Sequence, residues 1–221
     1  MVEIYATQAT REYKMFYFDT IYPYLNSERR DRINSFLHIE DALRTLAGEW
    51  LTRLVLSEKN HLNLFEIRFD YGKSGKPFFN SPLGLHFNIS HAEDWAVCAV
   101  SAFPVGIDIE MVQPIDLSIA RDCFTKKEFE TMTSFADRTE QLDYFYTIWT
   151  IKESYLKAIG SGFSTSPDSF GADINNNQIQ LTGQVDLEFC FRKYDFDKSY
   201  KLCACSLETQ FSNNINIRIP E

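Results

Sequence analysis

Trp95-Ala96-Val97-Cys98-Ala99-Val100-Ser101 and Tyr200-Lys201-Leu202-Cys203-Ala204-Cys205-Ser206 read as two versions of one short strand, half a chain apart. Each closes a block in which a helical pattern precedes strands. The helices echo each other too: Thr45-Leu46 and Trp50-Leu51 parallel Thr150-Ile151 and Tyr155-Leu156 at the same spacing. Matches this short also arise by chance, so duplication and coincidence both stay open. If it is a duplication, the chain is α+β in two similar halves, 1–103 and 104–221, with Phe103-Pro104 as the joint. A duplicated fold of this kind places its functional cleft between the halves.

Working outward, Val2 to Ala6 is strand-like, and Ser27 to Arg32 is a polar segment. Apolar residues from Ala42 to Val55 recur at three- and four-residue spacing and predict a helix over about 40–56. A second long helix is predicted over about 140–159, stopped by Gly160, which accepts a left-handed backbone. Thr125 with Glu128 three residues on has the pattern of a capping box, and Asp116 is a candidate cap for the helix before it. Residues 172–208 read as strands broken by turns. The last dozen residues carry no pattern.

Val105-Gly106-Ile107-Asp108-Ile109-Glu110 is the segment richest in chemistry. Alternate strand residues share a face, so Asp108 and Glu110 point one way and Ile107 and Ile109 the other. Two carboxylates so placed repel unless solvent or a cation separates them. Oxygen ligands without His or Cys suit magnesium; a solvated strand face is the plainer reading of this segment alone. On the second long helix, Trp149, Glu153 and Lys157 follow at steps of four and share a face. Glu153 is a candidate third carboxylate and Lys157 a candidate phosphate contact, against the alternative of an ordinary surface ion pair. Arg29, Arg32, Arg44, the Lys73/Lys76 loop and His91 are basic groups able to meet phosphate oxygens.

Composition narrows the field. The 221 residues carry a net charge of −9, which disfavours sequence-independent nucleic-acid binding. No apolar run is long enough to span a bilayer and no signal peptide is evident, so a soluble cytoplasmic protein is expected. Five scattered cysteines are expected to be reduced thiols, and Cys203 with Cys205 lacks the further ligands of a metal site. Neither a Walker or dinucleotide loop nor a Gly-x-Ser-x-Gly elbow is present.

Taken together, four motifs in order resemble the 4′-phosphopantetheinyl transferases of the surfactin-synthetase-activating (Sfp-type) branch. They are Gly75-Lys76-Pro77, Phe87-Asn88-Ile89-Ser90-His91, Val105 to Glu110, and Trp149 to Lys157, and the likeness runs from Glu40 to near Ser206. The resemblance implies two α+β halves related by a pseudo-twofold with coenzyme A between them, the first half binding coenzyme A and the second the metal and carrier protein. It implies magnesium, with manganese as a substitute, on Asp108, Glu110 and Glu153. Coenzyme A phosphates would meet Arg44, Lys76, His91 and Lys157, helped by Ser90. Arg29 and Arg32 stand where lysines are more usual and are assigned to the 3′-phosphate. The implied reaction moves the phosphopantetheine arm of coenzyme A onto a serine of an apo peptidyl or acyl carrier protein, releasing 3′,5′-ADP, with Glu153 as the candidate base. A monomer serving peptide, polyketide or antibiotic synthesis is expected. The carrier would dock on the helices after Pro114 and the 160–169 loop. A transferase restricted to fatty-acid acyl carrier protein and a non-catalytic coenzyme A or carrier-binding module are the alternatives.

Overall fold

In the computed structural model the described residues are 1–72, 75–160, 165–176, 178–183, 185 and 188–220. Lys73 of the basic loop and residues 161–164 of the expected docking loop lie outside them.

The chain opens with β1 (Val2–Gln8), then the helices α1 (Lys14–Thr20), α2 (Ser27–Asn34) and α3 (Ile39–Asn60). A small hairpin, β2 (Asp70–Tyr71) with β3 (Pro77–Phe78), leads to β4 (His86–Ala92) and β5 (Trp95–Ser101). Then come β6 (Val105–Met111), the short α4 (Ala120–Cys123), α5 (Lys126–Ser134) and α6 (Arg138–Ile159). The strands β7 (Phe170–Asn175), β8 (Gln178–Gly183), β9 (Cys190–Tyr194), β10 (Tyr200–Ser206) and β11 (Phe211–Ile217) follow.

Both long helices form as their apolar spacing predicts, and each has 22 residues. Each also stops on a left-handed residue. Gly160 does so in α6 with φ 67°. In α3 the position is His61, φ 54°, whose backbone amide donates to the Ser57 carbonyl. The expected capping box is present at the start of α5: Thr125 Oγ1 accepts from the Glu128 amide, and the Glu128 carboxylate accepts from the Thr125 amide. The polar segment at 27–32 turns out to be α2, capped by the Asn26 side chain.

Two sheets repeat one strand pattern. In the first, the order is β11-β1-β5-β4; in the second it is β6-β10-β9. Superposing the halves in order sets β1 on β6, β5 on β10, β4 on β9 and α3 on α6, with antiparallel pairing throughout. Alternation along the strands builds four layers. Tyr5, Cys98 and Val100 face α3, while Ile4, Ala6, Val97 and Ala99 meet Ile107, Ile109, Leu202 and Ala204 between the sheets. Cys203 and Cys205 face the α6 side. All five cysteines are free thiols.

The symmetry breaks at the sheet edges. β11 returns to the first sheet and pairs in parallel with β1, covering the edge of β1. The equivalent edge, on β6, lies beside β4 and is closed by side chains instead of a ladder. The Ile107 amide donates to Asn88 Oδ1 at 2.9 Å, and the Ile109 amide to Ser90 Oγ at 3.4 Å. Ser90, Asp108 and Glu110, candidates from the sequence, lie along that seam.

Candidate active site

β4, β6 and α6 bring the site together. Gly106 allows it: a Cβ there would stand 1.9 Å from the Ser154 carbonyl oxygen and 2.6 Å from the Ala158 amide nitrogen. The helix therefore rests directly on the β6 backbone, and its Glu153–Lys157 face is set beside Asp108 and Glu110.

Asp108 is only 3% exposed. Its Oδ1 accepts from Ser90 Oγ at 2.9 Å and from the Lys157 ammonium at 2.5 Å. Lys157 also donates to Ser90 Oγ at 2.9 Å, so one serine hydroxyl joins β4, β6 and α6. Burial pushes the Asp108 carboxyl up against the pull of Lys157 and Ser90. Glu110 accepts from the Trp149 indole at 3.3 Å. Its pKa is pushed up to about 7, chiefly by burial and then by the charge of Asp108, with Glu153 adding to it. Glu153 is raised by burial and by Asp108, and lowered by Lys157.

Three carboxylates thus share one poorly solvated field with one ammonium. Asp108 Oδ2 is buried and has no hydrogen-bond partner. As placed, no three His, Cys, Asp or Glu side chains among the described residues are grouped tightly enough to hold a metal ion. The chemistry of the donor set still fits a hard cation: all oxygen, in excess of the local positive charge, with one oxygen unanswered.

A cavity of about 430 Å³ opens onto this cluster, lined by Lys76, Asn88, Glu153, Leu156, Lys157 and Ser166 among others. That is within the usual size of a small-molecule site, roughly 300–1,000 Å³. Lys76 closes one side. Its ammonium donates to the carbonyls of Lys157 and Ala158, where a cation is favoured at the helix C-terminus. His91 follows Ser90 on β4 and keeps an exposed face. Partial desolvation by neighbouring protein, then the Lys157 cation and, less strongly, Arg44, push its pKa down to about 4. Arg44 reaches from α3 to the β4–β5 turn, bonding Asp41 at 2.5 Å and the Glu93 carbonyl at 3.4 Å.

The two remaining arginines stand differently. Arg29 holds the buried Glu49 at 2.9 Å, with its guanidinium 5.5 Å from the Tyr71 ring. Arg53 holds the other Glu49 oxygen at 3.1 Å. Arg29 is thereby engaged in joining α2 to α3, while Arg32 is exposed on α2. Sequence reasoning missed Asn88 as a seam residue, although Asn88 and Ser90 alternate on β4 as Asp108 and Glu110 do on β6. It also missed Lys152, which points to the other side of α6. A second hollow of about 440 Å³, by β9 and β10, pairs Asp143 with Lys201 and is lined by Lys193, Asp195, Asp197 and Lys198 as well, none of them among the residues read from the sequence as site candidates.

Comparison with known proteins gives these residues a context. A family model described as the 4′-phosphopantetheinyl transferase superfamily matches residues 104–205. Another, described as 4′-phosphopantetheinyl transferase, N-terminal, matches residues 13–103. The 4′-phosphopantetheinyl transferase Sfp of Bacillus subtilis is 38% identical over 201 residues, covering 88% of this chain and 87% of that one. The chain belongs to the 4′-phosphopantetheinyl transferase superfamily. Within it the transferase stands with the Sfp-type branch. The 4′-phosphopantetheinyl transferase gsp of Aneurinibacillus migulanus is 34% identical, covering 96% of this chain and 89% of that one. The human L-aminoadipate-semialdehyde dehydrogenase-phosphopantetheinyl transferase is 32% identical, covering 80% of this chain and 65% of that one. No described helix of this transferase is long and apolar enough to cross a membrane.

Proposed function

We propose that this chain transfers the 4′-phosphopantetheine arm of coenzyme A to a serine of an apo carrier protein. The observation that carries the reading is the Asp108, Glu110, Glu153 and Lys157 cluster, assembled across the β4–β6 seam in a chain of this family. Asp108, Glu110 and Glu153 would hold magnesium, or manganese in its place. When bound, the cation would neutralise charge on the pyrophosphate of coenzyme A.

The protein's own residues do the rest. Lys76 and Lys157 line the cavity, and they, with Arg44 and His91, would meet phosphate oxygens, with Ser90 orienting Lys157. Engaging them means exchanging present partners, such as Asp108 on Lys157, for phosphate. Arg29 would have to exchange Glu49 in the same way to reach the 3′-phosphate, whereas Arg32 is free of any described side-chain partner. The carrier serine attacks the β-phosphorus, its proton passes to Glu153, and the bond to the leaving 3′,5′-ADP breaks. Glu153 suits this task because it is the carboxylate of the three that lines the cavity. The 1–103 half would bind coenzyme A and the 104–221 half the metal and carrier. We place the enzyme in the cytoplasm as a monomer. The carrier would dock on the helices after Pro114 and the 160–169 loop.

The test is to incubate the protein with coenzyme A, magnesium and an apo carrier. The expected result is a phosphopantetheine mass increment on the carrier serine, lost with EDTA and restored by magnesium or manganese. Absence of the increment with peptidyl, polyketide and fatty-acid carriers alike would leave only the binding-module alternative. Full activity in metal-stripped protein would refute the three-carboxylate site.

A further inference from the structure

Lys152 has no solvent-exposed surface, yet it carries an ammonium. Its Nζ lies 2.7 Å from the Glu128 carboxylate. It also donates to the carbonyls of Phe170 at 2.7 Å, Pro167 at 2.8 Å and Cys123 at 3.3 Å. The Phe170 and Phe124 rings stand 5.1 and 5.6 Å away. Glu128 is 3% exposed and equally engaged. It accepts from the Thr125 amide at 2.7 Å, the Thr125 hydroxyl at 2.9 Å and the Ala172 amide at 2.8 Å. One buried ion pair therefore ties α6 to the ends of α4 and α5, to β7 and to the Thr165–Ser169 segment.

Stability alone does not account for it. A buried ion pair replaced by apolar residues of like size is often neutral or stabilising. A methionine at 152 would fill the space, but it would leave two carbonyls of the segment and its edge, Pro167 and Phe170, without their donor. Those carbonyls belong to a wall of the site: Thr165, Ser166 and Pro167 line the same cavity as Glu153 and Lys157. Lys152 and Glu153 are neighbours on α6, about 100° apart around the helix. One faces the wall's anchor and the other the cavity.

We propose that Lys152, supported by Glu128, is a positioning residue that fixes the Thr165–Ser169 wall against the turn of α6 carrying Glu153. The inference rests on the transferase reading and on Glu153 as the base. The cations assigned to coenzyme A phosphates come from other attachments: Lys76 beyond β2, Arg44 on α3, and Lys157 held by Asp108 and Ser90. Loss of the Lys152 ties therefore disturbs proton transfer at Glu153 while leaving the grip on coenzyme A in place.

The experiment compares wild type, Glu128→Gln and the neutral pair Lys152→Met/Glu128→Gln with coenzyme A, magnesium and an apo carrier. Wild-type turnover is the control: its absence would refute the transferase reading, not the positioning role. Glu128→Gln removes the countercharge but leaves the Lys152 amine as a donor to the Pro167 and Phe170 carbonyls, so its Tm falls while its kcat falls less than that of the neutral pair. The neutral pair regains Tm, keeps the KM for coenzyme A within about twofold and loses kcat about tenfold or more, as small misplacements at a reacting centre do. Hydrogen exchange quickens at amides 165–172 and not in α3. Wild-type kcat in the neutral pair overturns the proposal, and so does an equal kcat loss in Glu128→Gln. A neutral pair that does not fold would also overturn it, since Lys152 would then hold the fold and not the wall.

Discussion

Asp108 and Glu153 bring the same charge to one site, and their surroundings divide the labour. Asp108 is sealed in, with one oxygen bound by Ser90 and Lys157 and the other unanswered, an arrangement suited to a cation. Glu153 lines the cavity, an arrangement suited to meeting a substrate hydroxyl and taking its proton. Glu153→Gln is expected to lower kcat about a hundredfold or more, the scale of general-base removal, with a modest loss of metal and coenzyme A affinity. Asp108→Asn is expected to show weakened metal binding as its main defect. Metal titrations with single-turnover rates separate the two, and normal turnover of Glu153→Gln at saturating magnesium would assign the proton to another group. His91 supplies a test in pH. Its folded pKa lies below the unfolded value of about 6.5, so between that value and about 4 the unfolded chain binds the extra proton. The contribution of His91 to stability is therefore present above pH 6.5 and lost as pH falls towards 4. His91→Gln is expected to raise Tm relative to wild type at pH 5 and to match it at pH 8; equal differences at both would place the ring in open solvent.

Elements, more than single side chains, set the distance between the carboxylates, and Gly106 is where α6 meets β6. The atoms a new Cβ would strike, the Ser154 oxygen and the Ala158 nitrogen, are helix backbone, so the helix has to move as a unit. Gly106→Ala is expected to cost about 1–3 kcal/mol or more, the range for overpacking, and to lower kcat as Glu153 and Lys157 withdraw from Asp108. Gly48→Ala in α3 is the control: its Cβ meets only the Ile89 Cγ2 methyl at 3.0 Å, a side-chain contact that a shift of a few tenths of an ångström relieves. Denaturant unfolding with kcat for both variants checks this, and equal effects would deny Gly106 its special place. The sequence announces both long helices because each carries apolar residues at helical spacing against its sheet. It hides α2, where Ile33 is the one buried residue, so no stripe marks it. It hides β11 as well: Asn213 and Asn214 are exposed, and no residue of the strand is fully buried.

At the scale of the whole molecule, two alike halves enclose one site because their edges are treated differently. The residues proposed for the site, Lys76, Ser90, His91, Asp108, Glu110, Glu153 and Lys157, stand in short motifs whose order in the sequence resembles the family. The Asn88 seam and the Lys152–Glu128 tie were not legible, because Asn88 and Ile107 are 19 residues apart, Lys152 and Glu128 are 24 apart, and only the fold brings them together. The same holds for β11, whose pairing with β1 joins the two ends of the chain. That pairing leads to the last prediction. β11 contributes ladder bonds to β1, and beyond it the Arg218 amide donates to the Ala6 carbonyl at 2.8 Å. Phe211 and Ile215 cover part of the core between the sheets. None of its residues lines the cavity at Glu153. A chain ending at Glu208 is therefore expected to lose several degrees of Tm and to self-associate, since an uncovered β1 is a free strand edge that templates pairing. Its KM for coenzyme A at low temperature and low protein concentration should stay within about twofold of the full chain, because the β4–β6 seam and α6 are intact. Thermal unfolding, light scattering across a concentration series and steady-state kinetics together test this. A truncated chain of unchanged Tm with a raised KM would mean that β11 serves the site and not the edge.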